Sequence, residues 1–281
     1  MKRLLMLEYH KNFAYKPFII YSILYFVSLV GVLYVGFNDI DLWGIRTSLK
    51  EQGIYDFPVI WNFTTYIADF LRIILGFVIV FSICQEFTNR TFHQNIIDGL
   101  SRKDFIMSKM LIISLFSLIA TVLVVVFSIV IGIKNSEEID LKLAFSEIYF
   151  AFNFFVKLLV FLTFLMFLSV LIRKSMLVIL AIFGWFMIET IFKLVEWSDT
   201  KTADNAGLND VNHYSQYLPL ESMSNLIPNP FVRLKFMENF TGGMLPKAPE
   251  YPTEALIVSV LWGIVFILGT YAILKKRDWS Y

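Results

Sequence analysis

Five ionisable residues lie inside long apolar runs of this chain: Asp69, Arg72, Lys157, Glu189 and Lys193. Charges there are costly and are usually functional. Asp69 and Arg72 are spaced i,i+3 and Glu189 and Lys193 i,i+4, so each pair is expected to meet on one helix face. Two readings stay open for the five. They pair locally or snorkel to outer headgroups, or they line the outer part of a polar path across the membrane. They do not form a chain of ionisable groups across the full bilayer.

Catalytic patterns are missing. The chain has no G-x-x-x-x-G-K-[ST] loop for nucleotide phosphates, and no H-E-x-x-H or G-x-S-x-G. Its three histidines, His10, His93 and His213, all fall outside the apolar runs. The single cysteine, Cys84, allows neither an intrachain disulfide nor a cysteine metal cluster and reads as a small buried apolar residue. Neither an enzyme nor a metal site is expected. The N-x-T triplets at Asn62, Asn89 and Asn239 carry little information.

The elements that must position these charges are set by composition. Of 281 residues 57% are hydrophobic, 17% aromatic and 17% charged, whereas a soluble domain carries about 25% charged residues. The apolar residues are gathered in runs of the roughly 20 residues needed to cross a bilayer. The expected fold is therefore all-α and integral to the membrane, a single domain with six spans at about 18–37, 64–85, 110–133, 148–171, 176–195 and 255–274. These spans read as continuous and almost free of proline.

Lys/Arg bias gives the orientation. With a cytoplasmic N-terminus, the inner segments (1–17, 86–109, 172–175 and 275–281) hold 13 Lys/Arg against 5 Asp/Glu, and the outer ones hold 8 against 16. Both termini are expected in the cytoplasm of a bacterium, the chain crossing its inner membrane several times. Residues 2–16, with Leu4, Leu5, Leu7 and Phe13 among basic residues, read as an amphipathic helix lying in the inner interface. The long outer loop 196–254 contains six prolines and apolar pieces, "LPLESMSNLI" and "FVRLKFMENF", expected as short helices resting on the membrane surface.

The inner stretch "EFTNRTFHQNIIDGLSRKDFIMSK", residues 86–109, is too long for a turn. It reads as a short helix capped by Thr88 or Thr91, with Phe92, Ile96, Ile97 and Leu100 as an apolar stripe and Asp98-Gly99 as its stop. Ser101 with Asp104 forms a variant capping box opening the next helix. A short amphipathic helix here is suited to presenting a surface to a soluble partner.

On these residues the chain resembles the permeases of type 2 ABC transporters: six spans, an interfacial N-terminal "elbow" helix, and a coupling segment between spans two and three. Glu86, Thr91, Ile96, Ile97, Gly99, Ser101, Arg102 and Lys109 fall where that segment has its acidic residue, threonine, apolar helix, break, "SR" and lysine. Arg90 stands where glycine is usual and Leu100 where proline is common. The outer loop is longer than its usual counterpart. The resemblance implies the membrane subunit of an ATP-driven exporter, paired with a second copy as a homodimer. Two copies of a separate ATPase, which would bind the ATP and Mg, would dock on 86–109. Phe92, Ile96 and Ile97 are then expected to insert into the ATPase, with Glu86, Arg90 and Arg102 around the contact. The chain itself needs no cofactor and no nucleic acid. An ion-coupled carrier and a non-transporting membrane scaffold are the alternatives.

Overall fold

The computed structural model describes residues 8, 11, 12, 15–35, 53–136, 140–205, 214–233 and 251–276. Every regular element among them is helical. In chain order these are α1 (Lys16–Val35), α2 (Val59–Asp69), α3 (Arg72–Thr88), α4 (Thr91–Ile97), α5 (Arg102–Asn135), α6 (Leu141–Ala144), α7 (Tyr149–Ile172), α8 (Ser175–Asn205), α9 (Pro219–Ser224) and α10 (Thr253–Lys276). Five helices are long and apolar enough to cross a membrane, and the α2–α3 pair supplies a sixth span if its two pieces count as one.

The α2–α3 span is where the sequence reading needs correction: it is not continuous. It begins at Val59 rather than at 64 and bends by 43° between Asp69 and Arg72. No proline or glycine causes the bend. The backbone tightens instead, with Phe70 N–H donating to Ile67 O (3.3 Å) and Leu71 N–H to Ala68 O (3.1 Å), three residues back rather than four. The bend places an acid at the carbonyl end of α2 and a base at the N–H end of α3, both against their helix dipoles. The two side chains must therefore find partners.

The central element is α7. In its span 72% of residues are buried, against 11–28% in the other long spans, and it packs against α2, α3, α5, α8, α9 and α10. Its buried face explains how it carries polar residues such as Asn153 and Lys157 out of contact with lipid. Gly76 lets α3 approach it closely, since a β-carbon there would meet Leu165 Cδ1 at 2.5 Å.

Two further expectations change. The helix α8 runs on to Asn205, ten residues past its expected end. The described part of 196–254 after α8 does not lie apart from the bundle. Leu220, Met223, Leu226 and Ile227 are buried in the main core, Asn153 Nδ2 donates to Leu226 O (3.0 Å), and Trp262 Nε1 donates to Tyr217 O (2.9 Å). The piece "LPLESMSNLI", which reads as a surface helix, thus plugs one end of the bundle. Residues 8, 11 and 12 are helical, whereas Leu4, Leu5, Leu7 and Phe13 of the expected amphipathic helix lie outside the described residues, as do 234–240 of "FVRLKFMENF" and 241–250 after it.

Candidate functional site

The stretch 86–109 folds as two helical pieces joined by a tight corner. Its first helix, α4, is entered through Arg90 in the left-handed region, φ 57°. That conformation is unstrained only for glycine, which is the physical reason glycine suits this position and arginine is the exception. Neither threonine caps the helix: Thr88 Oγ1 donates to Cys84 O (3.0 Å) and Thr91 Oγ1 to Glu86 O (3.3 Å). The stop is as expected. Gly99 adopts φ 90°, with Leu100 N–H on Asn95 O (2.9 Å) and Gly99 N–H on Ile96 O (3.0 Å), the paired bonds of a Schellman ending. Ser101 and Asp104 then form the reciprocal capping box of α5.

The apolar stripe of α4 points mostly inward. Phe92 is fully buried, its ring 4.8 Å from Phe105 and 5.2 Å from Phe87. Ile96 and Leu100 pack partly buried on the same core. Phe92 therefore cannot be a surface anchor for a partner; it is the staple that holds α4 to the bundle. Ile97 faces the other way, 83% exposed, among exposed Asn89, Arg90, Asp98 and Gly99. Arg102 donates from Nη1 to Lys275 O (3.0 Å), tying the start of α5 to the last turn of α10.

Glu86 also turns inward, away from the contact rim expected for it. The carboxylate accepts from Lys109 of α5, whose ammonium reaches Glu8 Oε2 at 2.7 Å as well. Ser108 Oγ donates to Glu8 Oε1 (2.8 Å), Asn12 Nδ2 to Glu8 Oε2 (3.1 Å), and Ser82 Oγ to Asn12 Oδ1 (2.6 Å). Lys11 adds a weaker contact to Glu86 at 3.4 Å. Two carboxylates thus face two ammonium groups in a site where Glu8, Glu86 and Lys109 are all buried. Burial alone would raise the Glu8 carboxyl, but the adjoining Lys109 and then Lys11 outweigh it and hold it below the usual carboxylate range. Such a cluster persists only when every charge is paired. Here it locks three segments together: the N-terminal helix, the end of α3 and the start of α5.

At the other end of the bundle Asp69 and Arg72 do pair, Nη1 lying 2.9 and 2.8 Å from the two carboxylate oxygens. Lys157 joins them, 2.9 Å from Asp69 Oδ2. Glu189 and Lys193 do not pair with each other. Glu189 accepts from the backbone N–H groups of Leu220 (3.1 Å) and Glu221 (2.9 Å) and from Trp185 Nε1 (2.5 Å), so it caps α9 from another helix. Lys193 instead binds Glu221 at 2.6 Å.

Sequence reasoning missed Glu8, Asn12, Ser82 and Glu221. Glu8 carried one signal, as the sole acid among the first 17 residues; Glu221 carried none, because its loop showed no periodic pattern. Among the described residues no cluster of His, Cys, Asp and Glu is suited to a metal ion. Neither a curated protein nor a solved structure matches the chain. The profile of the ABC-2 family transporter proteins does match it, over residues 9–279, so the chain belongs to that family and is a membrane permease of an ABC transporter.

Proposed function

We propose that this permease is the membrane half of an ATP-driven exporter that works as a homodimer. Two copies of a separate ATPase, carrying the ATP and Mg, dock on 86–109 at the cytoplasmic face of a bacterial inner membrane. The observation that carries this reading is the construction of α4. A seven-residue helix, too short to be stable alone, is stapled through Phe92, stopped at its end by Gly99, and follows closely on Glu86 of α3, which is bound to α5 and the N-terminal helix. Its free side presents Ile97. A push on that side is passed to α3, α5 and the N-terminal segment together rather than absorbed in a loop. Membership of the family supports the ATPase partner; the Lys/Arg bias supports the cytoplasmic placement.

The test is purification of the tagged chain from its native membranes. An ATP-hydrolysing subunit is expected to co-purify with the wild type and to be lost from Ile97→Asp, which places a charge in the contact. Cysteines replacing Asp98 and Lys142 in a Cys84→Ser chain give the orientation, with labelling of intact cells expected at 142 and absent at 98. If the wild type brings down no ATPase, or the labelling is reversed, the reading fails.

A further inference from the structure

The bend between α2 and α3 holds two cations on one carboxylate. Arg72 lies about 24 Å along α3 from its Thr88 end, and Lys157 about 22 Å along α7 from Ile172, at 1.5 Å per residue. Measured from those ends, both sit about 6–8 Å short of the far boundary of a hydrocarbon layer of about 30 Å, in the half away from 86–109. Asp69 uses both oxygens on Arg72 Nη1 and gives Oδ2 also to Lys157. The other guanidinium N–H groups of Arg72 make no hydrogen bond among the described residues. Its side chain is 21% accessible, with its Cζ over the Phe161 ring, 5.1 Å from the centroid.

Among the described residues, buried polar atoms without a hydrogen-bond partner lie on α2 and α7, which carry Asp69 and Lys157, and on α1, which packs against α2 and α3. Tyr25 of α1 is fully buried, lies within electrostatic reach of Asp69, and has a hydroxyl without a hydrogen-bond partner among the described residues. Asn62 lies two turns from Asp69 on the same face of α2, fully buried, with both amide atoms unsatisfied. Asn153, one turn from Lys157 on α7, leaves Oδ1 unsatisfied. Buried polar atoms are almost always matched by protein, water or ligand, and at membrane depth an ion with spare donors needs a partner. Other elements do not supply one. Glu221 of α9 feels the charge of Lys157 but is bonded to Lys193, and Glu189 of α8 is bonded to the α9 backbone and Trp185.

We propose that Arg72, backed by Lys157 and the Tyr25 hydroxyl, is the docking point for an oxyanion, a phosphate or carboxylate, that this permease transports, either as a free anion or as the headgroup of an amphiphile. Transport of that ligand rests on the exporter reading; the site itself does not. The planar guanidinium keeps donors for an oxyanion while Nη1 stays on Asp69, and a bound anion balances the unmatched charge.

Equilibrium binding of fluorescent dodecyl phosphate to the full chain in nanodiscs of zwitterionic lipid tests the site without any ATPase. Arg72→Gln is expected to weaken binding roughly 10- to 100-fold, Arg72→Lys by less, and Lys142→Gln not at all. Arg72→Gln keeps Asp69 paired with Lys157, so it is expected to fold. Should it not fold, Arg72→Lys must still weaken binding several-fold. Competition by inorganic phosphate at similar concentrations assigns the site to a free anion, and failure to compete assigns it to the headgroup of an amphiphile; both keep the oxyanion site. Dodecyl trimethylammonium is expected not to compete. Equal competition by that cation, or unchanged affinity in the Arg72 variants, overturns the proposal. Loss of ATPase co-purification with these results intact overturns only the exporter reading.

Discussion

The Lys109 ammonium meets the Glu8 carboxylate at 2.7 Å across 101 residues of chain, in a site where both side chains are 3% exposed. This contact and its twin to Glu86 fix the N-terminal helix to the stretch that carries α4. Removing one member of a buried ion cluster leaves its partners charged and unpaired, which costs roughly 3–5 kcal/mol. Lys109→Met is expected to lower the unfolding free energy in detergent by that order. Replacing all three charges (Glu8→Gln, Glu86→Gln and Lys109→Met) is expected to recover most of the loss. A triple variant as unstable as the single one shows that the pairing is not what the site contributes.

The same cluster predicts a pH dependence with a definite sign. The Glu8 carboxyl is held below its ordinary value by Lys109 and Lys11. A depressed carboxyl contributes stability that is fully present above its unfolded-state value and is lost as pH falls through the folded one. The stability advantage of wild type over Glu8→Gln is therefore expected to be constant near neutrality and to shrink in acid, below about pH 4.5. Thermal melts of both proteins from pH 7 to pH 3 measure it. A gap that widens on acidification contradicts the assignment.

The legible parts of this chain are those written in local pattern. Long apolar runs give the spans, the Ser101–Asp104 spacing gives the start of α5, and Gly99 gives the end of α4. What the sequence could not show depends on contacts between distant segments. The bend at Asp69–Arg72 has no proline or glycine to announce it. An i,i+4 spacing allowed Glu189 and Lys193 to pair, but α9 offers Glu189 two backbone donors and Lys193 a carboxylate, and those win. Likewise, an amphipathic stripe does not say whether its apolar face meets the chain's own bundle or a partner. For α4 it meets the bundle, through Phe92.

Arg90 is expected to be a position where the native residue is not optimal for stability. A non-glycine residue at φ 57° costs roughly 1 kcal/mol relative to glycine. Its side chain is exposed. Arg90→Gly is expected to raise the unfolding free energy slightly, by about 1 kcal/mol at most, since glycine also gains freedom in the unfolded chain. Arg90→Val, β-branched and ill-suited to this region, is expected to lower it. If Arg90→Gly also weakens ATPase association, the arginine side chain belongs to the docking surface and its strain is kept for that use.

Phe92 and Ile97 lie on one short helix and separate support from contact. Phe92 is enclosed by Phe87 and Phe105, and truncating a buried phenylalanine costs roughly 3–5 kcal/mol. Phe92→Ala is therefore expected to loosen α4, seen as faster amide hydrogen exchange over 89–100, and to reduce ATPase association as a consequence. Phe92→Leu, which refills much of the space, is expected to restore both. Ile97 is exposed, so Ile97→Ala is expected to shift stability by no more than about 0.5 kcal/mol and leave exchange unchanged while still weakening association. Rescue by leucine at 92 together with a selective loss at 97 is the pattern a stapled docking helix requires. Equal association in Phe92→Ala and wild type, with exchange already accelerated, would mean that an ordered α4 is not needed for docking.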